Sequence, residues 1–251
     1  EFRRVLFRSM RGCCKWVDRV INIKRIPEQV NTAFQKAMGG KPGPVYLDMP
    51  ADILYGKVPE EEVDWSLSGR PLLNARPLGE AARVNQLIDA LGKAKNPIIL
   101  TGSGVIWSKA WPELKSFVEK AGIPFYTTPQ GRGVLPDDHS LSFLTMRSSA
   151  FKDADLILII GTRMNYIIGH AAPPRFAAGA TIARIDIDAD EIASAPRKID
   201  IGIVGNPMSV HRPRVWISTS RLDPRTEAPP RKRLTCSFAS DSPLTSLARG
   251  M

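Results

Sequence analysis

The run "DADLILIIGTR", Asp153 to Arg163, constrains the fold more than any other stretch of the chain. Its five apolar residues, Leu156 to Ile160, follow one another without a polar break and stop at a glycine. A strand with one wet face would alternate apolar and polar residues, and a buried helix would run to roughly ten residues or more. So short a run between Asp155 and Gly161 reads as a strand covered on both faces, the kind found in parallel sheets with helices above and below.

The surrounding pattern has the periods that such a sheet needs. Leu78 to Ala94 carries Val84, Leu87, Ile88 and Leu91 at the spacing of an amphipathic helix, and the strand-like "PIILTG" follows. A second helix shows Leu114, Phe117, Val118 and Ala121, with Gly122 as its stop before "IPFYTT". Next come the loop "PQGRGVLPDDHS", a short helix near Arg147 to Ala154, the opening strand, "ATIARIDID", a helical turn and "IGIVG". Five strands alternating with helices predict an α/β fold: a parallel sheet with helices on both faces and right-handed crossovers.

Charge and cysteine content exclude several function classes. The net charge of +10 lies mostly in the two ends: residues 12–210 hold 23 basic and 21 acidic side chains. A nucleic-acid binder would concentrate its basic residues on the folded face that meets phosphates, so no nucleic-acid partner is expected. Cys13 and Cys14 are adjacent and Cys236 stands alone, without the spacing of a zinc site. No apolar run approaches a membrane span and the first residues lack the apolar core of a secretory signal, so a soluble, cytoplasmic protein is expected. With 43% hydrophobic residues in 251, the chain can bury the core of one or two domains.

Both ends look foreign to this pattern. Glu1-Phe2 and Arg3 to Ser9 match the translation of a restriction site followed by a sequencing adapter, which makes residues 1–9 an expected artefact; an Arg-rich transit peptide is the alternative. Residues 211–251 have no sustained apolar period and many Pro, Ser, Thr and Arg, as in a disordered or frameshifted tail.

In open parallel sheets, ligands bind beyond the carboxyl ends of the strands. Here those ends are polar and glycine-rich: Gly102-Ser103-Gly104, Thr127-Thr128, Gly161-Thr162-Arg163, Asp186-Ile187-Asp188 and Gly205-Asn206. Glycines let a backbone approach a phosphate, an arginine fork neutralises a diphosphate, and a strand-end Asp accepts from ribose. Gly102, Ser103, Gly104, Gly161, Thr162, Arg163, Asp186 and Asp188 are therefore the candidate nucleotide site. Plainer readings stand beside it: the glycines as turn residues, Arg163 as a surface ion-pair partner, Asp186 and Asp188 as caps of the next helix. His139 and His170, without a carboxylate or cysteine close in sequence, read as loop residues, and Met146 and Met164 as packing.

Upstream, "RIPEQVNTAFQKAMGGKPGPVYLDMPADIL" runs from a helix through a Gly-rich turn into Gly-Pro-Val, a buried strand and Pro-x-Asp, with Lys15-Trp16 before it. Together with "GRG" at Gly131 to Gly133, "DADLILIIGTR" and "RIDIDADEI", this order of motifs resembles the thiamine-diphosphate-dependent enzymes over roughly residues 13–210. The resemblance implies a remnant of the pyrimidine-binding domain at residues 10–56, a linker at 57–76 and a Rossmann-like central domain at 77–210. "GTRMNYIIGHAAPPRF" is similar to segments of acetolactate-synthase-like proteins and of 2-hydroxyacyl-CoA lyases and oxalyl-CoA decarboxylases. A parent synthase or lyase is implied, homo-oligomeric, acting on a 2-oxo acid or an acyl-CoA with thiamine diphosphate and Mg²⁺, its central domain holding FAD or ADP. The Glu and the Gly-Asp-Gly…Asn segment that hold the cofactor in this family are not found here, so no catalytic residue is expected in this chain. The alternative of another class is a non-catalytic nucleotide-binding or structural module.

Overall fold

A computed structural model describes residues 7–66, 68 and 75–207. Most of the expected artefact and the whole 211–251 tail lie outside the described residues. Among the described residues, the sheet elements form two groups, a pair of strands near the N-terminus and a five-stranded sheet.

The first group holds β1 (Trp16–Arg19), α1 (Ile26–Met38), β2 (Val45–Asp48) and α2 (Ala51–Tyr55). Pro27 and Glu28 start α1, where a missing N–H and a negative charge both suit the helix N-terminus, and the helix gives way at Gly39. The sequence suggests one buried strand here, and the structure has two. Trp16 to Arg19 pair in parallel with Val45 to Asp48, and Arg19 Nε meets Asp48 Oδ2 at 2.6 Å across the pair. Every residue of both strands is half-buried, because each strand has one described neighbour and α1 packs on one side.

The second group begins with α3 (Ala81–Lys93), β3 (Pro97–Thr101), α4 (Ser103–Trp107), α5 (Trp111–Ala121) and β4 (Phe125–Thr127). It continues with α6 (Arg147–Asp153), β5 (Leu156–Ile160), β6 (Thr181–Asp186), α7 (Ala189–Ala193) and β7 (Ile201–Val204). The expected start of α3 is three residues early. Asn206 N–H binds Pro77 O at 2.8 Å, and a side chain on Gly205 would collide with Gly79, so residues 77–79 are held extended against the end of β7. The other unforeseen element is α4, five residues that follow Gly102.

All five strands are parallel, in the order β4-β3-β5-β6-β7. Strand β5 is buried throughout, as its apolar run requires. Leu156, Leu158 and Ile160 point into one core with Val84, Leu87 and Ile88 of α3 and Leu114, Phe117 and Val118 of α5. Ile157 and Ile159 point into the other core with Phe151 of α6, Met164, Ile168 and Phe176. Helices thus cover both faces, and α5 ends on Gly122 at φ +64°, a conformation that disfavours any side chain.

Candidate functional site

The strand order sets the place of the site. From β3 the chain steps to one side for β4, then crosses to the other side for β5, so the loops after β3 and β5 leave the sheet in opposite directions. A crevice opens at such a reversal, outside the carboxyl ends of the strands. A cleft of about 370 Å³ lies there, lined by Ser103 and Gly104 after β3, Gly161, Thr162 and Arg163 after β5, and Asp186 at the end of β6. Six of the eight residues singled out by the sequence therefore share one cavity. Gly102 and Asp188 do not line it.

The glycines bring the strand-end loops together. Gly102 N–H donates to Ile160 O at 3.0 Å, Gly104 N–H to Gly161 O at 2.9 Å, and Gly161 N–H to Ile185 O at 3.0 Å. These donors tie strand ends together and are not presented to a phosphate. A Cβ on Gly104 would lie 2.6 Å from Gly161 Cα, and one on Gly131 2.9 Å from Gly102 Cα. The loops touch backbone to backbone, and only glycine permits that approach.

Beside the glycines lies a charged network that sequence reading only half finds. Arg184, in the middle of β6, is 1% exposed. Its guanidinium donates to Asp186 Oδ2 at 3.1 Å, to Glu191 Oε2 at 3.0 Å, to Thr162 O at 3.2 Å and to the Glu191 carbonyl. Lys41, from the turn between α1 and β2, reaches Asp188 Oδ2 at 2.7 Å and Glu191 Oε1 at 2.8 Å. Arg163, two-thirds exposed at the cleft, completes the set with Nε 3.3 Å from Glu191 Oε1. The surface-ion-pair reading of Arg163 is thus part of the structure, as is the capping reading of Asp188, whose side chain accepts from Asp190 N–H at 3.0 Å. Asp186 Oδ1 accepts from Asp188 N–H at 3.1 Å. Arg184 carries a signal in sequence, an arginine flanked by the apolar Ile182, Ala183 and Ile185 within a strand; Lys41 and Glu191 carry none.

Electrostatics follow from these pairings. Lys41 holds the Asp188 carboxyl below its ordinary range. Burial pushes the Glu191 carboxyl up, but hydrogen bonds from Lys41 and Arg184 outweigh it and leave Glu191 lowered. Burial likewise pushes Lys41 down, and its two carboxylate partners outweigh that and raise it. All are charged near neutrality.

His139 is a loop residue, whereas His170 lies at a kink within the 3-10 segment Tyr166–Ala171, not in a plain loop. His139 Nδ1 accepts from Leu141 N–H at 3.1 Å, and its ring meets Phe125 edge-on, with Nε2 3.5 Å from Glu119 Oε1. His170 Nδ1 lies 3.1 Å from Met164 O, and Met164 is core. Among the described residues no three His, Cys, Asp or Glu side chains are grouped to hold a metal ion, and no helix is long and apolar enough to cross a membrane. The cleft carboxylates are each matched to a cation. That donor set does not fit Mg²⁺ with the diphosphate of thiamine diphosphate.

A doubly wound parallel sheet with helices on both faces and a cleft at its strand reversal defines an open-sheet α/β architecture. Within it, residues 84–212 match the family described as thiamine pyrophosphate enzyme, central domain, and the chain belongs to that family. A 2-hydroxyacyl-CoA lyase of Arabidopsis thaliana is 32% identical over 205 residues, 80% of this chain and 36% of the relative. The oxalyl-CoA decarboxylase of Escherichia coli K12 is 33% identical over 174 residues, 69% of this chain and 30% of the relative. A mitochondrial acetolactate synthase catalytic subunit of Aspergillus candidus is 36% identical over 170 residues, 62% and 24%. In fold, the chain is similar to a thiamine diphosphate-dependent 4-hydroxybenzoylformate decarboxylase of Rhodococcus jostii RHA1, with a TM-score of 0.65 at 24% identity, over 82% of this chain and 39% of that one. The chain spans about a third of the length of the curated relatives it matches.

Proposed function

We propose that this chain is the nucleotide-holding part of a thiamine-diphosphate-dependent lyase or decarboxylase acting on acyl-CoA substrates. Its cleft takes the adenosine diphosphate group common to ADP, CoA and FAD. The observation that carries the reading is the cleft at the β3/β5 reversal, where Arg163 at its mouth and Asp186 at its end suit a diphosphate and a ribose. A volume of about 370 Å³ lies in the range of small-molecule pockets and suits the nucleotide end of such a ligand, with the remainder outside.

The chemistry belongs to thiamine diphosphate, which when bound supplies a nucleophilic carbon and an electron sink. No described residue is given a bond-making step. The part played by this chain is to bind and orient. Alone, with added thiamine diphosphate and Mg²⁺, it is expected to turn over neither 2-hydroxyacyl-CoA nor pyruvate. A second reading, a synthase acting on 2-oxo acids with FAD in the cleft, is favoured by the 36% identity to the acetolactate synthase subunit.

Calorimetric titration of the chain with ADP, CoA and FAD tests the proposal. Saturable binding of ADP is expected, weakened by Arg163→Ala by about 1.5 kcal/mol, roughly tenfold, the low end for a charged hydrogen bond because Arg163 is solvated. Equal affinities of wild type and variant would return Arg163 to a purely structural ion pair, and no binding of any of the three would overturn the reading.

A further inference from the structure

Three cations converge on one side chain at the cleft. Glu191 Oε1 lies 2.8 Å from Lys41 Nζ and 3.3 Å from Arg163 Nε, and its Oε2 lies 3.0 Å from Arg184. These cations come from the α1–β2 turn, the loop after β5 and the middle of β6, so no local sequence pairing explains the convergence. Glu191 itself lines the cleft with Lys41 and Arg163. Counted as a set, Lys41, Arg163 and Arg184 face Asp186, Asp188 and Glu191, three charges against three.

Within this set each charge is matched, so its cations are spent on its own carboxylates before an incoming polyanion arrives, although Arg76 also lines the cleft. The members of the set are not equally fixed, however. Arg184 is buried, and Asp186 and Asp188 are also held by backbone N–H groups. Among the described residues the Glu191 carboxylate is held by side chains, two of which, Lys41 and Arg163, keep 36% and 66% of their exposure. It is the carboxylate whose removal takes the paired charge from Arg163 and leaves Lys41 shared with Asp188 alone, so that two solvent-facing cations lose a counter-charge at once.

We propose that Glu191 is a built-in counter-ion that stands where an anionic group of a ligand binds, so that the cleft is self-blocked until Glu191 gives up Lys41 and Arg163. The site then selects ligands whose charge and geometry compensate for that exchange, a diphosphate above a monophosphate. This deepens the reading of the cleft as a nucleotide site and rests on it for the identity of the ligand, but the counter-ion role concerns any polyanion.

The test compares the full chain with Glu191→Gln, which keeps the shape and a hydrogen-bond acceptor for Arg184 while removing the charge. The probes are ADP, adenosine and inorganic pyrophosphate, titrated calorimetrically. Glu191→Gln is expected to bind ADP and pyrophosphate about tenfold more tightly, the order expected for removing one like charge at a partly solvated site, with adenosine unchanged. Tighter pyrophosphate binding with no ADP binding to either protein would uphold the counter-ion and sink the nucleotide reading. Equal or weaker ADP and pyrophosphate binding by the variant would overturn the counter-ion, whatever the wild type binds. Should thermal melting show Glu191→Gln unfolded, Glu191→Asp, which withdraws the carboxylate from Arg163 by one methylene, is expected to tighten pyrophosphate binding too, and failure to do so would equally overturn it.

Discussion

Gly104 and Gly161 meet backbone to backbone at the strand reversal, Gly104 N–H donating to Gly161 O at 2.9 Å. A Cβ on Gly161 would stand 2.8 Å from Gly104 Cα, and Gly161 is held at φ +57°. The loops that wall the cleft are therefore locked to each other by two residues without side chains. Gly104→Ala should force them apart and lower stability by about 1–3 kcal/mol, the usual cost of overpacking. Gly161→Ala should cost more, because the left-handed conformation adds about 1 kcal/mol or more for a residue with a Cβ. Urea denaturation of both variants checks the order, and a stable Gly161→Ala would show that the loops can separate freely.

Lys41 and Asp188, 147 residues apart, join the N-terminal group to the five-stranded sheet. Their pairing gives stability a pH signature. Asp188 and Glu191 have folded pKa values below the ordinary 3.8 and 4.5, so their contribution is present above those values and disappears as pH falls through the lowered ones. Lys41 is raised above 10.5, so its contribution is present below that value and disappears as pH rises through the raised one. Lys41→Met should cost about 1 kcal/mol across the plateau, a modest figure because the ammonium remains partly solvated. The gap between wild type and variant should begin to narrow below about pH 4 and go on narrowing as pH falls through the lowered values. A gap that persists unchanged at pH 3, measured by chemical denaturation, would assign the loss to packing and not to charge.

Arg197 holds a segment that is costly to hold. His170 and Ala171 lie at φ +54° and +51°, left-handed conformations for residues with a Cβ. The guanidinium of Arg197 donates to the carbonyls of Ala171, Ala177, Ala178 and Ala180 at 2.6, 2.9, 3.0 and 3.1 Å, closing this loop over the second core. Arg197→Ala should destabilise by about 1.5–3 kcal/mol and raise amide exchange selectively in residues 170–180. Arg197→Lys should recover part of the loss, since one ammonium reaches fewer carbonyls than a planar fork. Uniform exchange changes across the chain would point to a global effect instead.

The difference between what sequence shows and what it hides is a difference of range. Leu156–Ile160 named its own environment, and Val84, Leu87 and Ile88 named their helix, because burial on a local repeat is written in consecutive residues. Strand β1, "WVDR", is too short and too mixed to show a period, and its existence depends on partners some thirty residues later. The same holds for the cleft. Glycine and polar strand ends mark where it lies, but Lys41 is far away in the chain and Glu191 looks like any acidic residue in the first turn of a helix. The glycines are legible as positions of close approach, but close loop contact and phosphate contact both suit glycine, and the sequence does not show the hydrogen-bond partners of their N–H groups.

The N-terminal group should be the first part of the molecule to open. Its two strands are half-buried at every position, whereas β5 is buried at every position between two cores. Phe34, Tyr55 and Trp65 expose 59, 84 and 53% of their surface, so their apolar area contributes little to holding the group closed. An apolar groove of about 870 Å³ lies among Ile26, Val30, Phe34, Val63 and Trp65, where a packed core would have filled the space. A two-stranded sheet is marginal in water, and local opening draws on the regions with least burial. Amides of residues 16–19 and 45–48 should therefore exchange faster than those of residues 156–160, by a factor that grows when Lys41→Met removes the tie to Asp188 and Glu191. Equal protection of the two strand sets in the wild-type chain would contradict this ranking and place the N-terminal group in the same cooperative unit as the five-stranded sheet.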